Sequence, residues 1–316
     1  GSLDAMTGKR NVLMFFSGSI LPIVQGSDRY IYEVSRNLHG CANVNLTLVV
    51  LGEPSEAMRK GAKDICSKIV WLPRPRRWGV VDIVNKLFAR CGIDMLHSYA
   101  NARALRGKFA ELCADQDLIL LNYAEWFPLL PRDVRSRKGV VLTLDIGWYR
   151  KASFLKSQHV LNRFSVWLNK WVELKVLRSF RRIVVLADYE RKLLEDEGIS
   201  TERIVETGVP LQFDAFRRTG TPIYDFLLIG GCSYQNEEGV KCFLSRVPPL
   251  LRDRQITFAV AGSICKSKIW QALTVPENVE LRLLGYVDNL ADVCAQAKIG
   301  VGTVPYGSGI KIKVVE

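Results

Sequence analysis

Short apolar runs separated by helical segments are the feature that most constrains the fold of this chain. The first runs, residues 11–16, 44–51 and 69–72, have the length of strands that are buried in a sheet. Parallel strands need a crossover connection, which is usually a helix. The alternation therefore predicts an α/β fold with parallel sheets. The same pattern predicts further strands at residues 118–121, 140–143, 182–186, 225–230, 257–262, 278–287 and 299–304.

Length and composition limit the class of protein. A chain of 316 residues favours two domains, and 48% apolar with 24% charged residues is ordinary for a well-cored α/β protein. No run approaches the ~20 apolar residues that a membrane-spanning helix needs. Eight cysteines without a C-x-x-C pair indicate neither a zinc framework nor a disulfide scaffold, and they favour a cytoplasmic location. Residues 1–6 are interpreted as a tag remnant, with a native start at Met6.

The net charge of +12 is concentrated in two segments that also hold five of the seven tryptophans. Residues 71–90 carry four Arg, one Lys and one Asp, and residues 148–183 carry nine basic residues and one acid. Two kinds of partner fit such segments, namely nucleic acid and an anionic membrane surface. The second segment also contains an apolar stripe at helical spacing, which either meets a membrane or packs on the sheet. The stripe consists of Val160, Phe164, Trp167, Trp171 and Leu174.

The loop after the first strand excludes two nucleotide-binding motifs. A dinucleotide site needs G-x-G-x-x-G directly after the strand, whereas seven residues separate Gly18 from Gly26. The P-loop sequence G-x-x-x-x-G-K-[ST] does not occur either. Ser27 follows Gly26 and is predicted to cap the helix that contains Ile31 and Leu38.

Acidic side chains follow two of the predicted strands. Glu125 comes after the strand at 118–121, and Asp145 comes after the strand at 140–143. Open α/β sheets bind ligands at the carboxyl edge of parallel strands, so both residues are candidates for a site in the first domain. The D-x-D sequence Asp115–Asp117 precedes its strand instead. It is therefore interpreted as a solvated loop at the opposite edge, and no metal site is predicted.

The C-terminal stretch has the form of an anion site. The strand at 299–304 leads into a glycine-rich turn at 307–309, and a helical pattern begins at Ile310. Backbone N–H groups and the positive end of a helix dipole at such a turn attract an anion. Lys311 and Lys313 stand in the first helical turn, where the dipole disfavours cations. They indicate a polyanionic ligand, of which a diphosphate is the simplest.

This stretch also carries a family resemblance. Residues 307–316, Gly-Ser-Gly-Ile-Lys-Ile-Lys-Val-Val-Glu, resemble the GTG-hydrophobic-K-x-K-hydrophobic-x-E signature of group 1 glycosyltransferases. The segments at 188–210 and 225–240 are similar to further blocks of that family, and they follow the family's order. The glycine turn at Gly26 is similar to the turn that opens the family's first helix.

The resemblance implies the two-domain GT-B fold, in which two Rossmann-like domains face a cleft. It implies an acceptor-binding domain at residues 1–210, a linker at 211–222 and a donor-binding domain at 223–316. Proteins of this family continue through further β/α units, so the second domain is expected to be incomplete at its C-terminus.

The resemblance also implies which residues form the sites. In the family, the C-terminal turn binds the donor's phosphates and the final glutamate holds the ribose hydroxyls. Many members carry a histidine after the second of the two acidic-tipped strands, and here Asp145 is its only stand-in. The residues predicted to bind the donor are Gly230, Gly231, Ser233, Gly262, Tyr286, Val287, Ser308, Gly309, Ile310 and Lys311. Catalytic roles are predicted for Asp145, Lys313 and Glu316, and acceptor contacts for Gly26, Ser27 and Glu125.

The implied activity is transfer of a sugar from a nucleotide-diphospho-sugar to a glycan or lipid-linked acceptor. The resemblance implies retention of configuration, no metal and no cofactor beyond the donor. The basic segments add a possible anionic membrane surface, which would place the protein peripherally at the inner face of the membrane. Two alternatives stay open: a nucleotide-sugar binding protein without transferase activity, and a basic nucleic-acid-binding protein. No recognisable nucleic-acid module supports the second alternative, so nucleic acid is not the predicted partner.

Overall fold

A computed structural model describes residues 8–23, 26–74, 83, 96–154, 160–210 and 221–303 of the chain. The described residues before 211 form one compact unit, here unit 1, and those from 221 onward form a second, here unit 2. Each unit is built on its own parallel sheet. The predicted α/β class with two domains is confirmed. Most of the basic segment 71–90 and all of the C-terminal stretch 304–316 lie outside the described residues.

Unit 1 contains a seven-stranded parallel sheet. Its strands are β1 Arg10–Phe16, β2 Val44–Leu51, β3 Lys68–Leu72, β4 Leu118–Asn122, β5 Gly139–Leu142, β6 Arg182–Val185 and β7 Ile204–Glu206. They lie in the order β3-β2-β1-β4-β5-β6-β7, and every neighbouring pair is parallel. The direction of the order reverses between β1 and β4. Open α/β sheets form a ligand crevice at such a reversal, outside the carboxyl ends of the strands.

The helices described in unit 1 connect these strands. They are α1 Gly26–Gly40, α2 Glu56–Gly61, α3 Tyr99–Cys113, α4 Arg132–Lys138, α5 Gly147–Phe154, α6 Val160–Leu177 and α7 Asp188–Asp196. Because α1 begins at Gly26, Ser27 lies inside its first turn, and the prediction that Ser27 is the N-cap was wrong. In unit 1, a side-chain N-cap is formed by Ser55, whose hydroxyl accepts a hydrogen bond from the backbone N of Met58 in α2.

Aromatic packing positions the turn that follows β4. The ring centroid of Phe15 in β1 lies 5.5 Å from that of Phe109 in α3 and 5.2 Å from that of Trp126. All three side chains are buried, and such pairs stabilise a core beyond their buried area. Trp126 belongs to the 3₁₀ segment Ala124–Leu129, which also carries Glu125. The core therefore holds the Glu125 segment against the sheet.

The loop Asp115–Asp117 ties two strands together at their amino ends. The backbone N of Asn11 donates to Asp117 Oδ2 at 2.8 Å, and the Asn11 side chain donates to the carbonyl of Asp115 at 3.2 Å. The backbone N of Asp117 in turn donates to the carbonyl of Asn11 at 2.8 Å. These bonds lie at the edge opposite the strand carboxyl ends. The interpretation of D-x-D as a loop at that edge is confirmed.

The apolar stripe predicted along α6 is divided between two faces of the helix. Phe164, Trp167 and Trp171 are exposed, whereas Leu174 is buried. The buried face of α6 instead contains two polar residues, Asn169 and Glu173. The stripe therefore does not pack on the sheet as one surface, because polar groups occupy part of the inward face.

Unit 2 contains a four-stranded parallel sheet. Its strands are β8 Tyr224–Ile229, β9 Ile256–Ala261, β10 Val279–Gly285 and β11 Ala297–Gly300, and its described helices are α8 Tyr234–Arg246, α9 Ile269–Ala272 and α10 Leu290–Ala295. The strand order is β10-β9-β8-β11, so the direction reverses between β8 and β11. The predicted strand at 299–304 starts earlier and ends earlier than expected. Ala297 already pairs with Tyr224, and Lys298 forms an ion pair with Asp225 at 2.7 Å.

A glycine allows α8 to lie directly on the chain that follows β11. A Cβ atom at Gly239 would stand 1.9 Å from the carbonyl oxygen of Thr303. The Thr303 hydroxyl donates to the carbonyl of Gly239 at 2.8 Å. The backbone N of Val301 donates to the carbonyl of Leu227 in β8 at 2.7 Å. Residues 301–303 therefore contact β8 first and then α8.

Candidate functional site

A pocket of about 160 Å³ opens at the carboxyl edge of the unit 1 sheet. Its walls come from the segments that follow β1, β4 and β5 and from α6, next to the point where the strand order reverses. The pocket contains both acidic candidates predicted from the sequence, Glu125 and Asp145. The polar side chains that matter for its chemistry are Ser17, Tyr123, Glu125, Asp145, Arg150 and Glu173.

Asp145 is paired with a cation inside this pocket. Arg150 Nη1 lies 2.7 Å from Asp145 Oδ2, and both side chains are partly exposed. Asp145 stands in the turn after β5, and Arg150 stands in α5, which begins two residues after Asp145. The pocket therefore offers a carboxylate as hydrogen-bond acceptor and a guanidinium as donor, side by side. A ligand hydroxyl group can donate a hydrogen bond to such a carboxylate and accept one from such a guanidinium.

Glu173, which belongs to α6, accepts hydrogen bonds from the start of α5. Its Oε1 accepts from the backbone N of Gly147 at 2.9 Å, and its Oε2 accepts from the backbone N of Trp148 at 2.8 Å. The first N–H groups of a helix have no carbonyl partner within the helix, so a carboxylate that accepts from them stabilises the helix N-terminus. Burial raises the pKa of Glu173 to about 7, the two backbone donors lower it, and the charge of Asp145 raises it further. Glu173 thus fixes the helix that carries Arg150.

Glu125 is the third acid of the pocket. Ser98 Oγ donates to Glu125 Oε1 at 3.1 Å. Burial raises the pKa of Glu125, while the bond from Ser98 and the nearby His97 and Arg150 lower it. A carboxyl group with a shifted pKa in a pocket is a candidate acid–base group, because such shifts cluster at functional sites.

Left-handed backbone conformations frame the pocket. Tyr123 has φ 66° and Leu144 has φ 39°, and among the described non-glycine residues only these two have positive φ. Tyr123 directly follows β4, and Leu144 follows β5 after one intervening residue, Thr143. Such residues cost on the order of 1–3 kcal/mol each and cluster at functional sites. A side-chain hydrogen bond joins Tyr123 to Ser27, so the predicted turn at Gly26 and Ser27 reaches the pocket wall.

Unit 2 has a second candidate region at the carboxyl ends of β8, β9 and β10. The backbone N of Gly230 donates to Ala261 O at 3.0 Å, and the backbone N of Ile264 donates to Gly230 O at 3.2 Å. Gly262 has φ +99°, and a Cβ there would stand 2.4 Å from Gly230 O. Only glycine fits Gly262, since both its φ and the space exclude a side chain. The structure therefore brings the predicted residues Gly230 and Gly262 into contact.

The turn from β8 into α8 is held by side chains. Ser233 is the N-cap of α8, and its hydroxyl accepts from the backbone N of Asn236 at 3.4 Å. The Asn236 side chain donates to the carbonyl of Gly231 at 2.8 Å. Tyr286 follows β10 and is 84% exposed, and Val287 beside it is partly buried. Gly231, Ser233, Tyr286 and Val287 thus lie at one edge of the sheet, beyond the carboxyl ends of β8 and β10.

The remaining donor-site predictions fall on the chain beyond β11. They are Ser308, Gly309, Ile310, Lys311, Lys313 and Glu316, and all six lie outside the described residues. Within the described part of the chain, no three His, Cys, Asp or Glu side chains are grouped as metal ligands would be. Of the helices described, none combines the length and the apolar character that crossing a membrane requires.

Solved structures share this two-unit architecture. TarM matches with a TM-score of 0.63 at 8% identity, over 97% of this chain and 82% of that chain. Alr3699/HepE from Anabaena, solved with UDP and glucose, matches with a TM-score of 0.57 at 11% identity, over 92% and 73%. Sucrose-phosphate synthase from Thermosynechococcus elongatus matches with a TM-score of 0.54 at 12% identity, over 95% and 77%. At such low identity the likeness shows the fold, which is GT-B.

The sequence of unit 2 matches a known protein family. The family described as "Glycosyl transferases group 1" matches residues 224–316, from the start of β8 onward. The match covers unit 2 alone, so unit 2 resembles group 1 glycosyltransferases in sequence, and the chain has the GT-B fold. No curated protein sequence matches the chain. The resemblance that the sequence motifs indicated is therefore confirmed.

Sequence reasoning missed two charged residues of the unit 1 pocket, Arg150 and Glu173. Arg150 was counted only as one of many basic residues, and Glu173 as the single acid among them. The sequence did contain a signal for Glu173. It is the only acid between residues 148 and 183, where the other charged residues are basic. An isolated acid in such a helix is more readily explained by a buried partner than by solvation.

Replacing Glu173 with glutamine is expected to change how stability depends on pH. The folded-state pKa of Glu173 is about 7, above its ordinary value of 4.5, so the native state binds this proton more tightly than the unfolded chain. The stabilisation is fully present below about pH 4.5 and is lost as pH rises through about 7, a change of roughly 3 kcal/mol. The free energy of unfolding, measured by denaturant titration between pH 5 and 7.5, should therefore fall less steeply in Glu173→Gln. The matched control is Glu202→Gln, at an exposed position. Equal pH slopes for the wild-type protein and Glu173→Gln would contradict the assignment.

Proposed function

We propose that this protein is a glycosyltransferase that moves a sugar from a nucleotide-diphospho-sugar, bound by unit 2, to a glycan or lipid-linked acceptor that the unit 1 pocket binds. The acceptor oxygen forms a bond to the anomeric carbon of the sugar. The bond from that carbon to the diphosphate oxygen breaks, and the acceptor's proton passes to the departing diphosphate. Retention of configuration and independence of a metal are proposed from the resemblance of residues 307–316 to the family signature.

The observation that carries the donor side is the contact between Gly230 and Gly262. A backbone without side chains at the carboxyl ends of β8 and β9 leaves room for a ligand to approach main-chain atoms. The strand order supports the same location, because β11 lies beside β8 and the signature at 307–316 follows β11. The diphosphate is proposed to lie between the Gly230–Gly231 turn and the turn at Ser308 and Gly309.

The other donor contacts follow from this placement. Lys311 or Lys313 completes the positive charge at the diphosphate, which stabilises the leaving group electrostatically as it departs. Exposed Tyr286 and the backbone at Val287 are proposed to contact the base. Glu316 is proposed to hold the ribose hydroxyls.

On the acceptor side, the proposal rests on the grouping of Glu125, Asp145 and Arg150. A sugar hydroxyl can donate to the Asp145 carboxylate and accept from the Arg150 guanidinium, which lie 2.7 Å apart. Glu125 stands in the same pocket and offers a further acceptor or, when protonated, a donor. The grouping favours an acceptor with several hydroxyl groups.

Replacing Lys313 with alanine is expected to weaken donor binding several-fold, because a charge-assisted hydrogen bond to the diphosphate is lost. Titration calorimetry with UDP-sugars and free UDP measures the dissociation constant. UDP-glucose is the first donor to test, because the similar structure of Alr3699/HepE contains UDP and glucose. Lys63→Ala, an exposed lysine of unit 1, is the control. Unchanged affinity for UDP and UDP-sugars in both Lys311→Ala and Lys313→Ala would contradict this placement of the diphosphate.

Transfer of a labelled sugar tests the proposed function itself. UDP-, GDP-, CMP- and ADP-sugars are first compared by thermal shift, because a ligand that binds the native state raises the melting temperature. The stabilising donor is then incubated with candidate acceptors, and the anomeric configuration of the product is determined. A donor that binds and yields neither transfer nor hydrolysis would favour the binding protein without transferase activity.

A further inference from the structure

One face of α6 is exposed and carries only aromatic and basic side chains. Phe164 and Trp167 are each 57% exposed and Trp171 is 52% exposed. These residues recur at spacings of three and four, so they lie on one side of the helix. Arg163 lies near the start of α6, Lys175 lies near its end, and Arg178 follows directly after the helix; all three side chains are exposed. The aromatic–basic face, as we name it, consists of Arg163, Phe164, Trp167, Trp171, Lys175 and Arg178.

The orientation of α6 is fixed by its other side. Asn169, Leu174 and Leu177 are buried, and so is Glu173, whose carboxylate holds the two first backbone N–H groups of α5. Rotating the helix to bury the aromatic rings would expose these apolar side chains and break both bonds. The aromatic–basic face is therefore directed outward by the packing of unit 1.

Contacts within the face give it an ordered surface. The rings of Phe164 and Trp167 are stacked with centroids 5.7 Å apart. Lys175 Nζ lies 4.7 Å from the centroid of the Trp171 ring, a cation–π contact. The result is an apolar centre with cations at both ends. Between residues 160 and 178 the only acid is Glu173, which is buried and directed away from this face.

Three clustered, exposed aromatic side chains mark an interaction site, since soluble surfaces seldom leave such groups uncovered. We propose that the aromatic–basic face docks on an anionic lipid surface. Tryptophan favours the interface between headgroups and acyl chains. Basic side chains that flank it can extend their charged ends to the lipid phosphates while their stems stay on the apolar part. One surface thus meets both parts of an anionic bilayer.

The charge of the face separates this partner from a second copy of the chain. A two-fold symmetric dimer through this face would place the same patch against itself and bring Arg163, Lys175 and Arg178 of two copies together. The mutual repulsion disfavours that arrangement. Single-stranded nucleic acid would use aromatic rings as stacking platforms, but Phe164 and Trp167 already stack on each other.

The proposal deepens the acceptor side of the proposed function, since a lipid-linked acceptor would be met at such a surface, and on that point it rests on the proposed function. Docking itself is measured without donor or acceptor. Failure of vesicle binding with intact transfer would overturn the docking proposal alone, and failure of transfer with intact vesicle binding would overturn the proposed function alone.

The test is co-sedimentation of the full chain with vesicles of phosphatidylcholine alone or with phosphatidylglycerol added. The wild-type protein should sediment with the anionic vesicles, and binding should fall as salt is raised. Arg163→Glu with Lys175→Glu should lower the partition coefficient at least about tenfold, because each basic residue near an anionic membrane surface strengthens binding several-fold. Trp167→Ala with Trp171→Ala should also lower it, with less dependence on salt.

The matched control is Arg59→Glu with Lys63→Glu, which makes the same change of net charge at two exposed residues elsewhere in unit 1. Thermal melting confirms that each variant is folded, which is expected because all the substituted side chains are exposed. Equal sedimentation with neutral and anionic vesicles, or equal losses in the face variant and the control, would overturn the proposal. So would a dimer of the wild-type chain that Trp167→Ala with Trp171→Ala dissociates, or a loss of affinity for single-stranded RNA in the face variants with vesicle binding unchanged.

Discussion

Replacing Asp145 with asparagine is expected to lower the turnover number for sugar transfer by roughly 100-fold, a typical effect of losing one polar or acid–base group in an active site. Asparagine keeps the size and shape of the side chain and removes its charge. The change leaves Arg150 without the carboxylate that now lies 2.7 Å away, and an acceptor hydroxyl loses its strongest hydrogen-bond acceptor. Because the donor is assigned to unit 2, its affinity should hardly change.

The measurement separates turnover from binding. Initial rates over a range of acceptor and donor concentrations give kcat and both KM values, and calorimetry gives the donor's dissociation constant. Asp64→Asn, at an exposed position in the same unit, controls for a general effect of removing an acid. A donor affinity that falls as much as kcat, or a kcat that stays the same, would contradict the proposed role of Asp145 on the acceptor side.

Replacing Gly239 with alanine is expected to destabilise unit 2 by about 2 kcal/mol. The new Cβ would stand 1.9 Å from the carbonyl oxygen of Thr303, and this neighbour is backbone, which cannot move aside as a flexible side chain can. Either α8 or the chain after β11 must shift. The shift would strain the hydrogen bond from the Thr303 hydroxyl to the Gly239 carbonyl.

Gly107 provides a matched control for this substitution. It also lies inside a helix, α3, but a Cβ there would meet nothing within 4 Å. In both helices alanine gains about 1 kcal/mol in helix propensity over glycine, so the difference between the two variants isolates the steric effect. Scanning calorimetry should show a raised melting temperature for Gly107→Ala and a lowered one for Gly239→Ala. Similar shifts in both would mean that the contact with Thr303 adapts at little cost.

Local patterns in the sequence were sufficient for most strands, but they did not predict β7, and β11 lies earlier than expected. The run at 44–51 became β2 with the same bounds, because seven of its eight positions are apolar or β-branched, which suits a buried strand. The same patterns were sufficient to predict that Glu125 and Asp145 share a site. Parallel strands all present their carboxyl ends at one edge, so two acids that follow neighbouring strands must lie near each other.

The sequence by itself therefore determined the α/β class, the two units, the glycosyltransferase signature and the two acids of the pocket. Tertiary structure alone decided the roles of Glu173, Arg150 and the α6 stripe. Glu173 meets Gly147 across 26 residues, and no local rule predicts which helix N-terminus a distant carboxylate will cap. Periodicity groups apolar residues on one face, but it cannot tell which face turns inward when polar groups have buried partners. On α6 the backbone N–H groups of Gly147 and Trp148 hold Glu173 inward, and the aromatic side chains are left on the surface.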